Sequence, residues 1–134
     1  MLEDLTALAD DLRRKDPETW EKIERGIPLK PRGQYLTYDN GEIRSVQYEA
    51  AFIPFSELPA EVAMNWLQGC LQRACEKRGW PIVLAFDCNP VHPRTWEAEI
   101  CNGLENGVLG SAKGCPSPAH ALLAAYLQAL EAMR

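Results

Sequence analysis

Long apolar runs are missing from this sequence. Its longest ones, such as Ala121–Tyr126, fall far short of the roughly 20 residues that a membrane-spanning helix needs. A basic face is missing too. Fourteen Lys and Arg stand against 19 Asp and Glu, a net charge of −5, and no basic run exceeds Arg13-Arg14-Lys15, which Asp10-Asp11 and Asp16 flank. Proteins that grip nucleic acid draw most of their affinity from neutralising phosphates, so nucleic acid is not the expected partner. The start, Met1-Leu2-Glu3-Asp4, is acidic where an export signal is basic, so a cytoplasmic setting is expected.

Catalytic signatures are also lacking. Gly103, Gly107, Gly110 and Gly114 match neither phosphate-loop spacing, G-x4-G-K-[ST] or G-x-G-x-x-G. No Cys-x2-Cys or His-x3-His pair occurs, so neither common zinc spacing is present. Five cysteines (70, 75, 88, 101 and 115), an odd number with no export signal, read as reduced thiols packed as small hydrophobes. Cys88 with His92 is the only hint of a metal site, and Cys115 near His120 the only Cys–His pairing, with no flanking motif behind either. His120 falls in the first turn of a helix, where positive charge is disfavoured. Glu97 and Glu99 share a strand face without a companion acid motif and read as solvated. No enzyme, cofactor or metal is expected.

What remains is the pattern of a globular domain: 46% hydrophobic and 25% charged residues over 134 positions, enough for one modest core. Leu2, Leu5, Leu8, Ala9 and Leu12 recur at helical spacing up to Arg14. Asp16-Pro17-Glu18 starts a second helix, which Gly26 and Pro28 end, and Pro28–Gly33 reads as a loop. Gln34–Asp39, Asn40-Gly41 and Ile43–Tyr48 form a hairpin, with the returning strand tending towards Phe52. Ala60–Arg78 carries a wide apolar stripe (Val62, Ala63, Trp66, Leu67, Cys70, Leu71, Ala74), with Gly79 as its stop. Pro81–Cys88, Arg94–Cys101 and Val108–Lys113 read as strands. In the middle one, Trp96, Ala98 and Ile100 alternate with Thr95, Glu97 and Glu99, so one sheet face is wet. Ser117-Pro118 opens a last helix, 119–133, burying Leu123, Tyr126, Leu127 and Leu130.

Two resemblances follow from this order. Leu71-Gln72-Arg73-Ala74-Cys75-Glu76-Lys77-Arg78-Gly79-Trp80-Pro81, then Asn89-Pro90-Val91-His92-Pro93-Arg94-Thr95-Trp96, with Gly110 and Gly114 near the third strand, resembles the double-stranded RNA-binding domain over roughly the last half of the chain. That resemblance implies RNA contacts at Gln72, Arg73, His92 and Arg94. The lysine cluster that grips phosphates in that family is replaced here by Ser117-Pro118-Ala119-His120-Ala121, so topology is carried over more readily than activity. The second resemblance covers more of the chain. Pro17-Glu18-Thr19-Trp20-Glu21-Lys22-Ile23, an aromatic hairpin, Phe55-Ser56-Glu57, Arg78-Gly79-Trp80, a Trp-bearing strand and Ser117-Pro118-Ala119-His120-Ala121-Leu122-Leu123-Ala124-Ala125 together resemble small phage and prophage proteins with the phage α-β-α sandwich domain. This family implies no general biochemical activity.

The expected fold is α+β: residues 1–33 are helical, and residues 34–134 hold a hairpin and an α-β-β-β-α unit with its helices on one sheet face, all packed as one unit. The expected function is that of a non-enzymatic accessory protein binding a protein partner in a bacterial host. Tyr35 and Tyr38 on the hairpin and His92 and Arg94 on the following loop are the expected contacts. Tyr35 and Tyr38 fall on opposite faces unless Leu36-Thr37 bulges, and Trp66 is expected in the core. A homodimer is compatible with this reading. The alternatives are a double-stranded RNA binder and a protein that sequesters a small signal nucleotide, which requires a lined pocket.

Overall fold

Capping residues set the helices. Asp16 ends one and begins the next: its N–H donates to the Leu12 carbonyl (2.7 Å), and its carboxylate accepts the Thr19 N–H (3.3 Å). This separates α1 (Leu2–Lys15) from α2 (Pro17–Arg25), with proline at a first position that needs no N–H. The computed structural model describes residues 2–29, 34–48, 51–87, 95–103 and 107–133, and leaves the side chains of 2–4, 34–39, 43–48 and 87 undescribed. A 3-10 turn at Phe55–Glu57 leads to α3 (Ala60–Arg78), which stops at Gly79 as expected. Ser117 accepts the His120 N–H (3.1 Å) and caps α4 (Pro118–Ala132).

The protein is α+β. Among the described residues its strands are β1 (Ile27–Leu29), β2 (Gln34–Asp39), β3 (Glu42–Tyr48), β4 (Ala51–Ile53), β5 (Ile82–Asp87), β6 (Thr95–Cys101) and β7 (Val108–Cys115). They form three antiparallel sheets: β1-β4, β2-β3 and β5-β6-β7. Asn40 (φ +52°) and Gly41 (φ +81°) make the tight turn of the β2-β3 hairpin. Its register shifts at Thr37/Tyr38, with Thr37 opposite Ser45 and Tyr38 opposite Ile43, so the extra residue, Arg44, lies on β3.

Two local expectations are corrected. The expected loop at Pro28–Gly33 begins as strand: Ile27 pairs with Ile53 and Leu29 with Ala51. This pairing depends on a partner distant in sequence, which no local pattern announces, and a two-stranded sheet offers Pro28 an edge where its missing N–H is tolerated. The third strand of the meander does not end at Lys113 but continues through Gly114 to Cys115.

On β6, Ala98 and Ile100 are buried and Glu99 is exposed, the alternation expected. α4 lies directly on β6 and β7, and α3 packs along α4 and α2 over the same core. Leu12 of α1, Ile23 of α2, Leu71 of α3, Ile100 of β6 and Leu122, Leu123 and Tyr126 of α4 belong to one buried cluster. α4 approaches β7 closely because its inner face carries Ala125 and Ala129 opposite Gly110, where a Cβ would overlap the Ala125 carbonyl oxygen. Among the described residues no helix is long and apolar enough to cross a membrane. Gly110→Ala is expected to force α4 off the sheet and lower stability by about 1–3 kcal/mol, read as a lower urea midpoint with an unchanged slope.

Candidate functional site

A cleft of about 570 Å³ lies between α2 and α3, walled at one end by β1 and β4. The two helices run past each other in opposite directions. The Trp66 indole N–H, near the start of α3, donates to the carbonyl of Ile23 near the end of α2 (3.1 Å). Lys77, near the end of α3, meets Glu18 near the start of α2 (3.5 Å). Each helix turns one stripe towards the cleft: Glu18, Lys22 and Arg25 on α2, and Trp66, Cys70, Arg73 and Lys77 on α3, the i, i+4, i+7 spacing of a single helical face.

A polar network lines the Asp16 end of the cleft. Tyr126 is fully buried and Asp16 is 8% exposed. The Tyr126 hydroxyl donates to Asp16 Oδ2 (2.6 Å), the Thr19 hydroxyl donates to the same oxygen (2.6 Å), and Arg78 Nε donates to the Tyr126 hydroxyl (3.2 Å). Arg78 Nη2 stands 3.6 Å from Asp16 Oδ2. Burial pushes the Asp16 carboxyl up, but the bonds from Thr19 and Tyr126 and the nearby Arg78 charge outweigh it, and its pKa lies below the ordinary value. Burial, followed by the bond to Asp16, raises the Tyr126 phenol to about 12.

Five basic side chains line the cleft (Lys22, Arg25, Arg73, Lys77 and Arg78), against two acids, Asp16 and Glu18. Glu18 bridges Lys77 and Lys22 (3.9 Å), and Arg25 pairs with Glu21 (3.4 Å). Arg73 differs: among the described residues no acid lies within ion-pairing distance of it, and its guanidinium rests over the Trp66 ring (5.2 Å) and against Cys70 Sγ (3.4 Å). Arg25 lies over the ring of Phe52 (5.6 Å). Guanidinium groups therefore lie over two aromatic rings inside one cavity.

Burial raises the Cys70 thiol despite Arg73 beside it, raises Cys115, and pushes Cys75 up to about 12. Cys115 Sγ faces the Lys113 carbonyl (3.7 Å), while His120 Nδ1 bonds the Ser117 hydroxyl (2.6 Å), so Cys115 and His120 do not pair. Among the described residues, no three His, Cys, Asp or Glu side chains gather as a metal site.

Of the residues expected as contacts, His92 and Arg94 lie outside the described residues, as does Cys88. Tyr35 and Tyr38 lie on β2, where only the backbone is described. Gln72 is half-buried on α3 outside the cleft lining, and Arg73 stands within it. Trp66, expected in the core, is half-buried and forms a cleft wall. Sequence reasoning missed Lys22, Arg25, Lys77 and Arg78 as a group, because they come together only when α2 docks antiparallel to α3. No family model, curated protein or solved structure matches the chain.

Tyr126→Phe strips a buried carboxylate of a donor and is expected to cost about 1–3 kcal/mol at pH 7. Because the folded Asp16 pKa lies below its unfolded value, its contribution is complete above about pH 4 and is lost as pH falls through the folded value. Urea unfolding of wild type and Asp16→Asn should therefore differ most at neutral pH, with the gap narrowing as the pH falls below about 4.

Proposed function

We propose that this is a non-enzymatic binding protein whose α2–α3 cleft recognises an anionic ligand. The observation that carries this reading is the gathering of five of the chain's 14 basic residues in one cavity of an acidic protein, where Arg73 has no acid partner among the described residues. Like charges brought together along one cleft repel one another, and an incoming anion offsets that repulsion. Thiols raised by burial and a histidine engaged as part of a helix cap support binding rather than catalysis.

The order of elements resembling phage α-β-α sandwich proteins supports a phage or prophage accessory role in the bacterial cytoplasm. The sequence alone suggests a protein partner at Tyr35, Tyr38, His92 and Arg94; the cleft favours capture of a small ligand, because its basic groups gather round one cavity. Duplex RNA is less suited to the cleft, since such recognition spans roughly 16 base pairs along an open surface.

Titration calorimetry with tripolyphosphate at low salt tests the proposal. Wild type is expected to bind with an affinity that falls as salt rises, and Arg73→Glu to weaken binding by about tenfold or more, a loss of about 1.4 kcal/mol or greater. Absence of binding by the wild-type protein, or equal binding by Arg73→Glu, overturns it.

A further inference from the structure

We infer that the anion captured by the cleft is a nucleotide-type ligand: a planar heterocycle carrying phosphate at one end. This rests on the cleft being an anion site and concerns which anion fits it. The cavity has a direction. α2 runs its whole length, about 15 Å from Asp16 to Gly26, and the groups on the two helices change character along it.

At the Asp16 end, acids already occupy the cations: Asp16 stands by Arg78, and Glu18 reaches both Lys77 and Lys22. In the middle, Arg73 has no acid partner among the described residues, and Lys22 holds Glu18 only loosely, at 3.9 Å. At the Gly26 end the lining turns apolar and aromatic, with Pro28, Phe52 and Trp66. Arg25 and Arg73 lie over the Phe52 and Trp66 rings.

Each zone selects a part of the ligand. The guanidinium of Arg73, with its planar fork of donors and no acid partner among the described residues, suits a phosphate. The aromatic end suits a flat ring, which every nucleobase presents and which stacks on aromatic and guanidinium faces. The carboxylates of Asp16 and Glu18 close the far end to further negative charge, so a long polyanion cannot continue through the cleft. An inorganic anion leaves the aromatic end empty, whereas a cavity of about 570 Å³ lies within the usual range for small organic ligands and cofactors. Phe52 is 39% exposed, placing its ring where an incoming base can reach it.

The test compares ATP with tripolyphosphate, which carries a similar phosphate chain without the base and sugar, and with a glutamate-rich peptide, all by titration calorimetry at low salt. The expected result is that ATP binds about tenfold or more tighter than tripolyphosphate, in line with one stacked base. Phe52→Ala should erase that advantage, bringing the affinities for ATP and tripolyphosphate together, and Arg73→Gln should weaken both. Both substitutions are at exposed positions, and circular dichroism checks that the fold persists. ATP binding no tighter than tripolyphosphate overturns the nucleotide inference and leaves the anion site standing, as does tighter binding of the peptide. Failure of all three probes to bind overturns both. An ATP advantage that survives Phe52→Ala also overturns the inference, because the ring then stacks elsewhere.

Discussion

The bond from the Tyr126 hydroxyl to Asp16 fixes the arrangement from which the rest follows. It joins residues 110 positions apart at 2.6 Å and ties the α1–α2 corner to the most buried helix of the molecule. A carboxylate this deep is costly unless its oxygens are satisfied, and Thr19, Tyr126 and Arg78 converge on it. The same aspartate caps α2, so helix initiation and helix docking use one side chain. With α2 pinned at that end and held at the other by the Trp66–Ile23 bond, the cleft between α2 and α3 has a set width.

That geometry redistributes the charge of an acidic chain. Along the sequence, basic residues are interspersed with acids and no stretch stands out. In space, α2 and α3 each turn a stripe inwards, and five cations share one cavity. Four of them have a carboxylate within 4 Å, which moderates their repulsion. Arg73 rests instead on an aromatic face and a thiol, a weaker arrangement that leaves its charge available to an incoming anion.

The sequence made the helices legible because their signals are local. Asp16-Pro17, Gly79 and Ser117-Pro118 punctuate the chain, and apolar spacing fills the intervals between them. The Asn40-Gly41 hairpin and the alternation on β6 were equally plain. The β1–β4 pair was not, since its pairing joins short segments with no pattern of their own. The cleft was hidden for two reasons. Trp66, Cys70 and Ala74 fall on an apolar stripe that reads as core, and Lys77 and Arg78 are accounted for by the helix dipole. Only the antiparallel docking of α2 shows that this stripe is one side of a cavity and that Lys22 and Arg25 complete it. Net charge misled in the same way, because a sum over the chain erases a cluster of five.

The central claim is that this cleft receives the anion. The most direct measurement is a two-dimensional ¹⁵N NMR titration with tripolyphosphate, following the Trp66 indole N–H that spans α2 and α3. Saturable shifts at Trp66, Lys22, Arg73 and Lys77, with β6 and β7 silent, are the predicted result. An unmoved Trp66 indole, or shifts scattered over the sheet, would contradict it.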